Sequence, residues 1–124
     1  MSNELGKAGE RAVGKFLENK GFRTICFNYH SRFGEIDIIS ENEKYTVFVE
    51  VKTRKSFKFS HAIEAVNKSK RTKIIKTALC FISENGLAKQ PRFDVAEVLA
   101  VKNSEFEIIY HENAFDSEEC YAIF

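Results

Sequence analysis

The chain has 124 residues, 44% hydrophobic and 30% charged, with one Pro, six Gly and a net charge of +1. That length suits one domain able to bury a real core, and the composition excludes a disordered or fibrous chain. No apolar run approaches the roughly 20 residues of a membrane span and the N-terminus has no signal-peptide core, so a cytoplasmic protein without a membrane partner is expected.

Asn3–Lys20 reads as an amphipathic helix, with Leu5, Ala8, Ala12, Val13, Phe16 and Leu17 at helical spacing and Gly21 placed as a C-terminal cap. Glu10 falls on the edge of that stripe, beside Val13 and Leu17. It is either a carboxylate at the rim of the helix–sheet contact or an ordinary exposed Glu paired with a nearby Lys or Arg. Phe22–Asn28 reads as a first strand and Tyr29–Phe33 as a polar turn, whose Arg32 is a solvated loop residue or a phosphate contact. Gly34 permits a tight approach or a bulge.

Two apolar runs follow, Ile36–Ile39 and Val47–Val51, joined by the polar segment Ser40–Lys44. They predict an antiparallel hairpin. With the turn centred between Glu43 and Lys44, Ile38 opposes Val49 and Asp37 opposes Glu50. That register gathers Ile36, Ile38, Val47, Val49 and Val51 on one face, and a one-residue slip would destroy it. The other face then holds two carboxylates side by side, with Lys52 two residues along. Cβ atoms of opposed residues lie roughly 5 Å apart, so such a pair calls for a cation or a raised pKa. Two carboxylates can hold Mg²⁺ or Mn²⁺, and a lysine beside them can orient or activate a water. Acid-x-Lys by itself is a weak signal, common on exposed strands; its weight here comes from the opposed Asp37.

The segment Lys52–Lys76 carries nine Lys/Arg against one acid, Glu64, while the rest of the chain is acidic in balance. Arg54, Lys55, Lys68, Lys70 and Arg71 are its candidate phosphate contacts, although a solvated helix face would show the same pattern. Lys55–Ser60 interleaves Phe57 and Phe59, either for stacking on bases or for packing at the core edge. A second helix runs from about Asn67 to Asn85, with Val66, Ile74, Ile75, Ala78, Leu79 and Ile82 as its buried stripe. Arg92–Val101 and Glu105–Tyr110 form a second strand pair turning at 102–104, with Asp94 expected to pair structurally with Arg92 or a backbone donor. The acidic tail from Glu112 either packs through Phe115, Tyr121 or Phe124 or frays. Cys26, Cys80 and Cys120 lack CxxC spacing and the three His are scattered, which favours inert thiols over zinc or disulfides.

The order is helix, three strands, helix, two strands: an α/β or α+β domain with a mixed sheet. GKAGERAV, GEIDII, FVEVKTR, RFDV and HENAF together resemble the YraN-type family of small bacterial proteins, over about Leu5–Phe115. That family is similar to archaeal Holliday-junction resolvases within the PD-(D/E)xK group. The resemblance implies a restriction-endonuclease-like mixed five-stranded sheet flanked by helices, a single nuclease-like domain at 3–115 and a tail at 116–124. It implies a metal-dependent endonuclease acting on DNA, including branched or structured DNA, or else a nucleic-acid-binding module of that fold with little catalysis. Asp37, Glu50 and Glu10 would be the metal ligands for Mg²⁺ or Mn²⁺. Lys52 would be the catalytic lysine, Lys70 the polar helix residue facing the site, and a homodimer the assembly. Ile36 stands where the motif's name has Pro.

Overall fold

The computed structural model describes residues 4–55, 67–86, 88–101 and 105–116. In chain order these form α1 (Glu4–Asn19), β1 (Arg23–Ser31), β2 (Gly34–Glu41), β3 (Tyr45–Arg54), α2 (Lys68–Asn85), β4 (Gln90–Ala100) and β5 (Phe106–Phe115). The predicted loop at Lys55–Ser60 falls, apart from Lys55, outside the described residues, as do Val66, the 102–104 turn and the tail beyond Asp116. No helix among the described residues is long and apolar enough to cross a membrane.

Both helices end where the sequence stops them. Gly21 takes φ +93° and its N–H donates to the Glu18 carbonyl after α1. The Asn67 side chain accepts the Lys70 N–H at 2.9 Å at the start of α2, and Gly86, at φ +83°, closes its end.

The five strands lie in sequence order, antiparallel except for the parallel β3–β4 pair, whose crossover contains α2. The β3–β4 ladder runs unbroken from Tyr45–Gln90 to Arg54–Leu99. One core joins Val13 and Leu17 of α1 to Ile38, Val47, Val49, Ala96 and Val98. The other joins Ile74, Ile75, Ala78 and Phe81 of α2 to Ile36, Ile39, Phe48, Phe93, Val95 and Phe115.

Four expectations need correction. The β1–β2 turn is only Arg32–Phe33, because Tyr29, His30 and Ser31 pair with Ile36, Glu35 and Gly34. Of the two alternatives at Gly34 the bulge does not hold, since Gly34 pairs with Ser31 and the register shift lies between Thr24 and Cys26. Leu79 is 42% exposed, lying outside the face of α2 that meets the sheet. Glu112–Phe115 continue β5 past its expected end at Tyr110, and the packing expected of Phe115 holds, its ring stacked on Phe93 at 5.3 Å.

Ile36 also departs from its assigned face, for a reason that shapes the site. Phe27 and its partner Ile38 lie toward α1, whereas Tyr29 and its partner Ile36 pack toward α2. In a regular strand both pairs would share a face. Asn28, at φ +53°, reverses the alternation, and Asp37 occupies the same point on β2. Asn tolerates this left-handed conformation better than most residues.

Candidate functional site

The turnover of faces at Asn28 and Asp37 opens a cleft of about 860 Å³ between α1, the β2–β3 hairpin and the first turn of α2. Glu10, Glu35, Asp37, Glu50, Lys52 and Lys70 line it, together with Lys7, Asn28, His30 and Thr53. The hairpin register expected from the sequence holds from Ile38–Val49 to Glu41–Thr46. One step further, Asp37 uses its side chain: Oδ2 accepts the Val51 N–H at 2.8 Å. That bond fixes the carboxylate beside Glu50.

Burial is the main cause that lifts the Asp37 carboxyl from 3.8 to about 8, and the Glu50 charge adds to it; the Val51 N–H opposes the rise. Glu50 is only 5% exposed, and its Oε2 lies 3.3 Å from Lys52 Nζ and in an ion pair with Lys70. Burial lowers the Lys52 pKa, and neighbouring Lys70 adds to the effect against the pull of Glu50. Burial acts to lower Lys70 too, but its hydrogen bond to Glu50 and the charges of Glu50 and Asp37 outweigh this and raise it.

Glu10 reaches the cleft rim as its place on the helix predicts. Its Oε1 accepts from Asn28 Nδ2 at 3.1 Å. Burial raises its pKa, Asn28 offsets part of that, and Glu35 and Glu50 add repulsion. Gly9 makes this approach feasible, because a Cβ there would lie 2.1 Å from Thr53 Oγ1 and 3.2 Å from Thr53 Cβ. Only a residue without a side chain lets α1 sit this close to β3.

Sequence reasoning missed Asn28, and it missed the ion pair of His30 Nε2 with Glu35 Oε1, at 3.1 Å. The available signal was an Asn, a poor strand former, between the aromatic residues Phe27 and Tyr29. Among the five candidate phosphate contacts, Lys70 alone lines the cleft. Lys55 and Lys68 are exposed at the adjoining ends of β3 and α2, and Arg54 and Arg71 are half-buried. No group of three or more His, Cys, Asp or Glu among the described residues forms a ready-made metal shell. The cleft's oxygen-only acids nevertheless suit a hard divalent cation, and the unfavourable proximity of Asp37 and Glu50 is what such a cation relieves.

A mixed sheet with a parallel β3–β4 crossover, helices on both faces and acids at the bend of its hairpin is an α/β domain of the restriction-endonuclease-like kind. Within that class, the chain belongs to the YraN-type family: residues 9–98 match the family described as Uncharacterised protein family UPF0102. It is 46% identical to a UPF0102 protein of Alkaliphilus metalliredigens, over 93% of this chain and all of the relative. A UPF0102 protein of Sulfurihydrogenibium sp. is 45% identical, covering 93% of this chain and 96% of its own. One from Clostridioides difficile is 42% identical over 93% of this chain and its own full length.

Proposed function

We propose that the protein is a metal-dependent endonuclease acting on DNA, branched or structured DNA included. The observation that carries this reading is the pairing of Asp37 with Glu50 across the β2–β3 hairpin, beside Lys52, in an open cleft. A fold alone would not license it, since one fold hosts many functions. Asp37 and Glu50 would hold Mg²⁺ or Mn²⁺, with Glu10 completing the oxygen donors. When bound, the cation supplies Lewis acidity toward a phosphoryl oxygen and acidifies a water.

The remaining roles belong to the protein. The Val51 N–H holds Asp37, and Asn28 holds Glu10, so the acids keep their aim without the ion. Lys52, half-buried beside Glu50, is suited to orient the attacking water opposite the scissile P–O bond and to offset the charge that develops there. Lys70 balances Glu50 in the free protein and can turn to the substrate phosphate, whose charge competes for it.

A second reading, a nucleic-acid-binding module with little catalysis, draws on one observation: two lysines already neutralise Glu50. Incubation with labelled linear, flapped and four-way DNA plus Mg²⁺ or Mn²⁺ separates the two. Wild type should cut, and Glu50→Ala should be slower by roughly a hundredfold or more, the scale of losing a principal charge-stabilising group. Identical traces for the two proteins would refute the nuclease reading.

A further inference from the structure

Outside the catalytic cleft, the β1–β2 turn and the outer side of α2 form a second feature. Phe33, at the tip of the turn, and Leu79 and Cys80 of α2 line a groove of about 370 Å³ together with Lys76, Ser83 and Glu84. Leu79 is 42% exposed there, large for an apolar side chain on a helix whose other face builds a core. Two cations lie near the Phe33 ring, the Arg32 guanidinium carbon 4.8 Å from its centroid and Lys76 Nζ at 5.3 Å. The turn is pinned. The Phe33 N–H donates to Ser31 Oγ at 3.0 Å, and that oxygen lies 2.9 Å from Thr77 Oγ1 on α2. Glu84, the groove's acid, is taken up by the Tyr29 hydroxyl.

The groove is also connected to the cleft by charge. Lys70 lies in the cleft, Lys73 stands against Gly34 one turn further along α2, and Lys76 reaches the groove. Six residues of helix span roughly 9 Å, a distance that an extended strand covers in about two nucleotides. An aromatic ring flanked by cations, beside an aliphatic wall and at the end of a lysine row, has the composition of a base-stacking platform.

We propose that this groove takes an unpaired nucleobase of a strand whose phosphate sits in the cleft, so that the preferred substrate carries single-stranded character beside the scissile position. The inference rests on the nucleic-acid reading of the cleft and adds to it a class of substrate. Phe33 and Leu79 sandwich the base, while Lys73 and Lys76 meet the intervening phosphates. Duplex DNA, with its bases stacked on one another, gains nothing from the groove.

Fluorescence anisotropy without divalent cation tests this, using a labelled single strand of about twelve nucleotides and the matching blunt duplex. Phe33→Ala should weaken single-strand binding roughly tenfold, the scale of one lost base–aromatic stack, and leave duplex binding within about twofold. Phe33→Tyr should restore the affinity. Leu79→Gln, at an exposed helix position that cannot unfold the core, should weaken single-strand binding in the same selective way. Equal losses on both DNAs, or no loss in Phe33→Ala and Leu79→Gln, would overturn the groove. The same proteins are then assayed for cleavage with Mn²⁺. Selective binding with intact DNA supports the groove and removes the nuclease, whereas cleavage without selectivity removes the groove alone.

Discussion

Two acids stand in one sheet, on the strands either side of β3, and they are treated in opposite ways. Asp94 of β4 is fully buried, yet every side of it is answered. Arg92 Nε and Nη2 donate to its oxygens at 3.0 and 2.9 Å, the Tyr110 hydroxyl at 2.5 Å and the Asn113 N–H at 2.9 Å. Arg92 is itself fixed over the Tyr45 ring, 4.6 Å from the centroid. Asp37 of β2 receives one backbone N–H and faces a second carboxylate. A buried charge with a complete set of donors is a structural fixture, whereas an acid left against another acid is a cost the fold bears for some other purpose. The contrast, more than burial, separates the RFDV motif from the GEIDII and FVEVKTR motifs.

The sharpest way to break the contrast is at Asp94. Asp94→Ala leaves the Arg92 guanidinium, whose side chain is only 11% exposed, to the exposed Glu112 carboxylate at 3.8 Å, and strands the Tyr110 hydroxyl. Removing one partner of a buried ion pair costs about 3–5 kcal/mol, so urea unfolding should shift by that much. A loss below about 1 kcal/mol would mean that the network is ornamental and the contrast empty. The cleft lies on other strands, so the metal binding proposed for it should survive wherever the variant is folded.

A medium effect belongs to the cleft. On the proposed metal reading, Mn²⁺ entering between Asp37 and Glu50 would have to displace the proton that Asp37 holds up to about pH 8. Affinity should therefore climb roughly tenfold per pH unit between about pH 6 and about pH 8 and level off above it, with one proton released per ion. Calorimetry in buffers of different ionisation enthalpy reads both quantities. A flat profile would show that Asp37 is not the ligand, whatever Glu50 does.

These sites were unequally legible in the chain itself. The valine alternation of β3 and the apolar partners on β2 admit one hairpin register, and the ladder has it. Arg92 and Asp94, two residues apart on one strand, are local enough to be paired on paper. Alternation puts Ile36 on the wrong face because it presumes a regular ribbon, and the left-handed Asn28 reverses faces at that point. Helical spacing puts Leu79 in the core because it gives the width of a stripe but not which edge the turn at Phe33 leaves open. The cleft gathers residues from α1, three strands and α2. Its single-residue clues, Gly9 against Thr53 and Asn28 against Glu10, acquire meaning only once the elements are packed.

The most discriminating effect is one with a sign. The folded protein keeps the Asp37 proton to about pH 8, whereas an ordinary aspartate, as in the unfolded chain, loses it near 3.8. Between those values folding takes up a proton, so each step upward in pH favours the unfolded chain, and the penalty is complete above about 8. Asp37→Asn keeps an oxygen for the Val51 N–H and removes the titration. Its melting temperature without metal should match wild type near the acid end of that window and exceed it by a margin that grows with pH toward the alkaline end. Asp94→Asn, in contrast, should melt below wild type throughout, because an amide loses the charge that Arg92 and Tyr110 are arranged around. If Asp37→Asn instead melts below wild type at pH 8, Asp37 is a satisfied structural acid like Asp94. A stabilised Asp37→Asn that no longer binds Mn²⁺ would identify the strain between Asp37 and Glu50 as the cost of keeping a metal site ready.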